Sequence, residues 1–180
     1  KSQVQKIREA VEMPIKYAEL SAEMGLAPIN GILLHGKPGN GKTLIAKAIA
    51  STILGGKQSV DPAAFTYIKG ASILSHLVSV AEKEIERMFA EARKYAKKSG
   101  QRAVIFIDEA EAILSTRGSR RSSDVDTTIV PTFLAEMSGM GDEKLQPIVI
   151  LATNKTQDLD PAILRHGHMD LKIHVEEPQR

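Results

Sequence analysis

The sequence predicts a three-layer α/β domain built on a mostly parallel sheet. Three observations carry that expectation. Short apolar runs alternate along the chain with stretches of helical periodicity, as in strand–helix–strand units. Two runs, Ala103-Val104-Ile105-Phe106-Ile107 and Ile148-Val149-Ile150-Leu151-Ala152, are continuously apolar, as strands covered on both faces require. The first, third and fourth runs also end in polar residues, where open α/β sheets bind their ligands.

The elements follow in order. Residues 2–24 read as helix interrupted near Pro14, with Val4, Ile7 and Val11 on one face and Tyr17, Leu20 and Met24 continuing the stripe. Pro14 suits the first turn of a second helix, and Gly25 a C-cap. Residues 1–25 are too few for a domain and are expected to be linker helices packed on a core at 26–180. Ile32-Leu33-Leu34 is the first strand; Leu44, Ile45, Ala48, Ile49 and Ile53 then recur near helical spacing until Gly55-Gly56. After a polar loop at 57–63, Phe65-Thr66-Tyr67-Ile68 alternates like a strand, and Gly70 is expected to end it. Residues 80–98 predict an amphipathic helix with Ala81, Ile85, Met88, Phe89, Ala92 and Ala96 on one side. Its basic last turn (Lys94, Lys97, Lys98) suits the negative end of a helix dipole.

Beyond the central strand at 103–107, a short helix is expected at 110–114 and a polar, basic loop at 115–123. The next helix spans 124–137, with Ser123 as N-cap and Pro131 expected to kink it. The strand at 148–152 is followed by a short helix at 159–164 and a last strand at 171–175.

Composition excludes several classes. At 180 residues the chain can bury one sizeable core. A net charge of +2 is too mild to signal nucleic acid or an anionic membrane. There is no cysteine, so neither a disulfide framework nor thiolate chemistry is available. No apolar run approaches the roughly 18 residues of a membrane span, and the mixed charges of the first twenty residues do not form a secretory signal. A cytoplasmic location is expected.

The most informative stretch is Gly36-Lys37-Pro38-Gly39-Asn40-Gly41-Lys42-Thr43, a full G-x-x-x-x-G-K-[ST] phosphate-binding loop. It stands between a strand and a helix, and the binding stretch is taken to run through Leu44. Gly36, Gly39 and Gly41 let backbone N–H groups turn inward around a polyphosphate. The following helix adds the positive end of its dipole. Lys42 supplies a point charge to the β- and γ-phosphates, and the Thr43 hydroxyl is offered to Mg²⁺. A nucleotide polyphosphate and Mg²⁺ are therefore the expected ligands.

The strand at 103–107 ends in Asp108-Glu109. Asp108 can hold Mg²⁺, and Glu109 can polarise a water as general base for attack on the γ-phosphate; a plain pair of charges at a helix start is the other reading. Asn154, after the strand at 148–152, could position the same water or simply occupy a turn. His166 and His168 form a close pair, but without Cys or a helical His partner they do not predict a metal site. Arg117, Arg120 and Arg121 lie in the polar loop and read as a solvated edge or a nucleic-acid patch.

The loop GKPGNGKT, the strand VIFIDEAEAI, the segment ILATNKTQDLDPAILRHGHMD and the lead-in IREAVEMPIKYAELSAEMG together resemble AAA+ ATPases of the classical branch. Within it, SSDVDTTIVPTFLAEMSGM is similar to the ring-forming proteasome-associated ATPases of actinobacteria. The resemblance implies a P-loop NTPase core with sheet order 5-1-4-3-2 and no C-terminal helical lid in this chain. It implies that Gly36–Thr43 is Walker A, that Asp108 and Glu109 close Walker B, and that Asn154 is the sensor 1 residue. Arg165 would be an arginine finger acting on ATP in a neighbouring subunit of a hexameric homo-oligomer. Leu77 and Val78 would stand in a central pore loop gripping a protein substrate, with Leu77 at the family's aromatic position and Ser79 at its glycine. His168 replaces the family's second arginine. The implied activity is hydrolysis of ATP to ADP and phosphate at subunit boundaries, driving protein unfolding and possible delivery to a proteasome or protease. An ATP-binding assembly module with weak hydrolysis, a DNA-remodelling relative and a small nucleotide kinase are the alternatives.

Overall fold

Five strands run parallel in a single sheet: β1 (Gly31–His35), β2 (Phe65–Lys69), β3 (Val104–Asp108), β4 (Ile148–Thr153) and β5 (Leu171–His174). Their order is β2-β3-β4-β1-β5, the implied 5-1-4-3-2 read from the other edge. The computed structural model describes residues 28–56, 61–74, 78–116, 126–139 and 145–177, with positions 11, 17, 20 and 23–25. The expected linker helices at 1–25 thus lie largely outside the described residues, although Val11 is buried in the core.

The continuous apolar runs take their places for a simple reason. Successive side chains of a strand point to opposite faces. Leu33, Ile105, Ile107, Val149 and Leu151 face one side, packed with α3 (Val78–Ser99) and α4 (Asp126–Met137). Ile32, Leu34, Val104, Phe106, Ile148, Ile150 and Ala152 face the other, packed with Ile45, Ala46, Ile49, Ala50 and Ile53 of α1 (Lys42–Ile53). Helices on both faces make the three layers that the sequence predicts. Phe89 and Phe133 meet edge to face at 5.8 Å between α3 and α4, and Arg93 bonds Glu136 at 2.7 Å beside them. Pro131 lies inside α4 without ending it.

The differences from expectation are local. Gly70 does not simply end β2; it opens a one-turn helix, α2 (Gly70–Leu74). Residues 110–112 form a 3₁₀ turn, followed by a single longer bond from Leu114 N–H to Ala110 O (2.9 Å). The helix expected at 159–164 is instead a run of turns. Asp160 Oδ1 accepts the Ala162 N–H at 2.8 Å, and Ile163 and Leu164 bond back three residues rather than four. That side-chain bond competes with helix formation, and Leu159 is held in an antiparallel bridge to Ser115. Ser123, Arg117, Arg120 and Arg121 lie outside the described residues.

Candidate functional site

The carboxyl ends of β1, β3 and β4 meet at one edge of the sheet, and the candidate residues gather there. The phosphate loop leaves β1 directly and enters α1. Gly39 and Gly41 sit at φ of 84° and 85°, left-handed values that place the loop's N–H groups as no bulkier residue would. Gly36 is needed for another reason: a Cβ there would collide with the Val175 carbonyl oxygen.

Lys42 opens α1 and is only 7% exposed. Its Nζ donates to the carbonyls of Gly36 and Lys37, both at 2.7 Å, so the ammonium is folded across the loop's mouth. Burial pushes its pKa below the usual lysine value, while the Asp108 and Glu111 carboxylates act in the opposite direction. Such an ammonium, weakly solvated and near the dipole end of α1, is suited to anionic oxygen. Pro38 is exposed, and Leu44 projects a side chain that is 74% exposed, which leaves Leu44 only its backbone to offer the loop. Asn40 turns outward and donates from Nδ2 to Val175 O at 2.9 Å.

The Thr43 hydroxyl donates to Asp108 Oδ2 at 2.7 Å, joining the loop to the tip of β3. Asp108 Oδ1 accepts the Glu109 N–H at 2.9 Å. Glu109 is exposed and holds φ at 53°, the one positive φ outside glycine among the described residues. For a residue with a Cβ this conformation costs on the order of 1–2 kcal/mol, and such strain tends to gather at functional sites. Gly70 gives the turn room, since a Cβ there would lie 2.5 Å from the Glu109 carbonyl oxygen.

Glu111 is a residue that the sequence did not single out. Its Oε1 accepts the backbone N–H of Asn154 at 3.5 Å, while its Oε2 is buried with no partner among the described residues. It thus links the turn after β3 to the tip of β4, beside Lys42. The signal was its place two residues beyond Glu109, hidden inside a segment that reads as helix. Asn154 itself is exposed just past Thr153, which is buried and accepts the Lys155 N–H at 3.0 Å.

Arg165 does not join this group. Its carbonyl accepts N–H groups of His168 and Met169, each at 3.1 Å, and the Asp170 N–H donates to Gly31 O at 3.0 Å. Arg165 is therefore exposed near the amino end of β1, about 13 Å of strand away from the loop. His168 is engaged within the chain, with Nδ1 at 2.9 Å from Ala162 O and Nε2 at 3.2 Å from Ser138 Oγ. Since a carbonyl can only accept, Nδ1 carries a proton. Of the expected pore loop, Leu77 lies outside the described residues; Val78 begins α3, and its side chain is outside them too. No group of three or more metal-ligating side chains occurs among the described residues.

A family model described as the ATPase family associated with various cellular activities (AAA) matches residues 32–177. The chain is 44% identical over 178 residues to an "AAA ATPase forming ring-shaped complexes" of Bifidobacterium dentium, covering 98% of this chain and 33% of that protein. It is 45% identical over 183 residues to a "Proteasome-associated ATPase" of Kineococcus radiotolerans, covering 98% of this chain and 31% of that protein. A protein of the same description from Frankia casuarinae is 44% identical over 185 residues, with 99% and 30% covered. The chain spans about a third of the length of these curated relatives.

Proposed function

Because this chain belongs to the AAA family of ATPases, we propose that it is the Mg²⁺-dependent ATP-hydrolysing module of a ring, here a hexamer, that remodels or unfolds protein substrates. The observation that carries the reading is the bond from Thr43 to Asp108 at 2.7 Å, which sets a hydroxyl and a carboxylate side by side at the mouth of a phosphate loop. Both are hard oxygen donors of the kind Mg²⁺ takes: Thr43 stands in the first turn of α1, Asp108 closes β3, and the bond between them crosses the tip of β4. Thr43 and Asp108 would hold the ion, which supplies charge neutralisation at the phosphates when bound.

The chain's own residues divide the rest of the work. The loop N–H groups and Lys42 hold the phosphates, and Lys42 exchanges two loop carbonyls for phosphate oxygens. Glu109, exposed on its strained turn, takes a proton from the attacking water. Asn154 orients that water or the γ-phosphate. Arg165 stands at the wrong end of β1 to serve its own loop, which favours its acting on nucleotide bound by a neighbouring copy. The relatives described as ring-shaped complexes and as proteasome-associated support assembly, protein substrates and a proteasome partner in the same way. His168 stands where the resembled family carries a second arginine, and an imidazole engaged by Ala162 and Ser138 is a poor substitute for a permanently charged guanidinium, which favours hydrolysis weaker than that of two-arginine relatives.

Nucleotide titration and phosphate release on the full-length protein test the reading. Lys42→Ala is expected to weaken ATP binding on the order of a hundredfold, the loss of a charge-assisted phosphate contact. Glu109→Gln is expected to keep ATP bound while turnover falls by roughly 10²–10⁴. Undiminished binding in the first variant removes the loop as the nucleotide site; undiminished turnover in the second removes Glu109 as the base.

A further inference from the structure

The chain leaving β5 holds the phosphate loop from outside. The Val175 N–H donates to His35 O at 2.8 Å, and Asn40 Nδ2 donates to Val175 O at 2.9 Å. Gly36 packs directly on the same carbonyl. Lys37 Nζ pairs with Glu177 Oε1 at 2.8 Å. Three loop residues, Gly36, Lys37 and Asn40, therefore touch residues 175–177.

The two lysines of the loop are placed differently. Lys42 is buried against the loop carbonyls, whereas Lys37 points out, with a side chain 78% exposed against 65% for Glu177. The hydrogen bond with Glu177 holds the Lys37 pKa above its ordinary value and, reciprocally, the Glu177 pKa below its own. An ion pair this open to water is weakly held. A loop built to gather anions sets it a competitor, since a polyphosphate brings several negative charges to the loop that carries Lys37.

We infer that Glu177 is an intrachain competitor of the nucleotide: it holds Lys37 until polyphosphate binds, when Lys37 passes to the phosphates and the segment at 175–177 loses one of its two side-chain ties to the loop. The neutral Asn40–Val175 bond has no charge to exchange and keeps the segment in place. Occupancy of the loop is thereby reported to the chain that leaves the sheet. The inference rests on the nucleotide reading above.

Titration of the full-length protein with N-methylanthraniloyl-ATP tests it in wild type, Glu177→Gln, Lys37→Ala and the double variant, with thermal melting to check that each folds. Glu177→Gln is expected to bind about two- to fivefold more tightly, the range of an exposed ion pair, and Lys37→Ala more weakly by a similar factor. In the Lys37→Ala background, Glu177→Gln is expected to add nothing. The gain from Glu177→Gln should shrink as salt rises from 50 to 500 mM, roughly tenfold in ionic strength. Equal affinity of wild type and Glu177→Gln, or effects that simply add in the double variant, overturns the proposal while the nucleotide reading stands. A wild type that binds no analogue, or binds it no better than Lys42→Ala, overturns both.

Discussion

The two ends of the same sheet use polar residues in opposite ways. At the amino ends of the strands, Arg102 donates from Nε to Gln146 O at 2.7 Å, from Nη1 to Ile29 O at 2.9 Å, and from Nη2 to Asn30 Oδ1 at 2.9 Å and Pro147 O at 3.4 Å. Asp170 accepts the N–H groups of Asn30 and Gly167, each at 2.8 Å. Of the described residues there, the Gln146 side-chain oxygen is the exception, buried without a partner. At the carboxyl ends, Lys42 is folded onto its own loop, Glu109 holds a strained φ of 53°, and Glu111 keeps a buried oxygen unpaired. Polar groups at the first end are used up by the fold. Those at the second are held ready at some cost in stability, as sites of chemistry commonly are.

The largest stability effect should therefore come from the amino end. Arg102→Ala strips hydrogen bonds from carbonyls that join the lead-ins of β1 and β4 to that of β3. Removing a charged donor and leaving acceptors unpaired is expected to cost about 3 kcal/mol, read as a lowered urea midpoint. ATP affinity of the folded fraction should be unchanged. A variant as stable as wild type, or one that loses nucleotide binding while folded, would break the contrast between the two ends.

Glu111→Gln probes the other end with a smaller effect of opposite kind. Its remaining oxygen can still accept from Asn154, but the negative charge beside Lys42 is gone. Turnover is expected to fall about tenfold, equivalent to roughly 1.4 kcal/mol in the barrier, while stability changes by less than about 1 kcal/mol. Paired phosphate-release and urea-unfolding measurements decide it. A large loss of stability with normal turnover would make Glu111 part of the scaffold instead.

How far the sequence reached depended on whether a signal was local. The runs at 103–107 and 148–152 were legible because burial on both faces leaves no polar position in a central strand. The phosphate loop was legible because its backbone demands glycine at fixed offsets. Asp108 and Glu109 followed from standing at the end of such a strand. Lys37–Glu177 and Asn40–Val175 were not legible, since partners 140 and 135 residues apart leave no periodic trace. The segment at 159–164 misled for a related reason: Leu159, Ile163 and Leu164 have helical spacing, but Ser115 and the Asp160 side chain claim the backbone first. His168 read as a departure from a pattern of arginines, and its contacts with Ala162 and Ser138 appear only in three dimensions.

The smallest expected effect comes from pH and again separates the two ends. His35 closes β1 beside His174 of β5, with ring centroids 5.1 Å apart. Burial first, then His174, then Lys42 lower its pKa from 6.5. The unfolded chain therefore binds a proton at His35 before the folded chain does as the pH falls. Between 6.5 and the lower folded value, unfolding takes up protons, so stability declines with acidification through that window and is fully present above it. In His35→Phe this contribution is removed, and urea midpoints measured from pH 7.5 down to about 5 should fall less steeply than in wild type. Arg102→Ala should shift those midpoints by a constant amount and leave their slope alone, because an arginine does not titrate in this range. Equal slopes in wild type and His35→Phe would mean that burial and the neighbours His174 and Lys42 do not disfavour the charged form of His35, and that the end of the sheet where charge is left unspent is no more sensitive to protons than the end where it is bound.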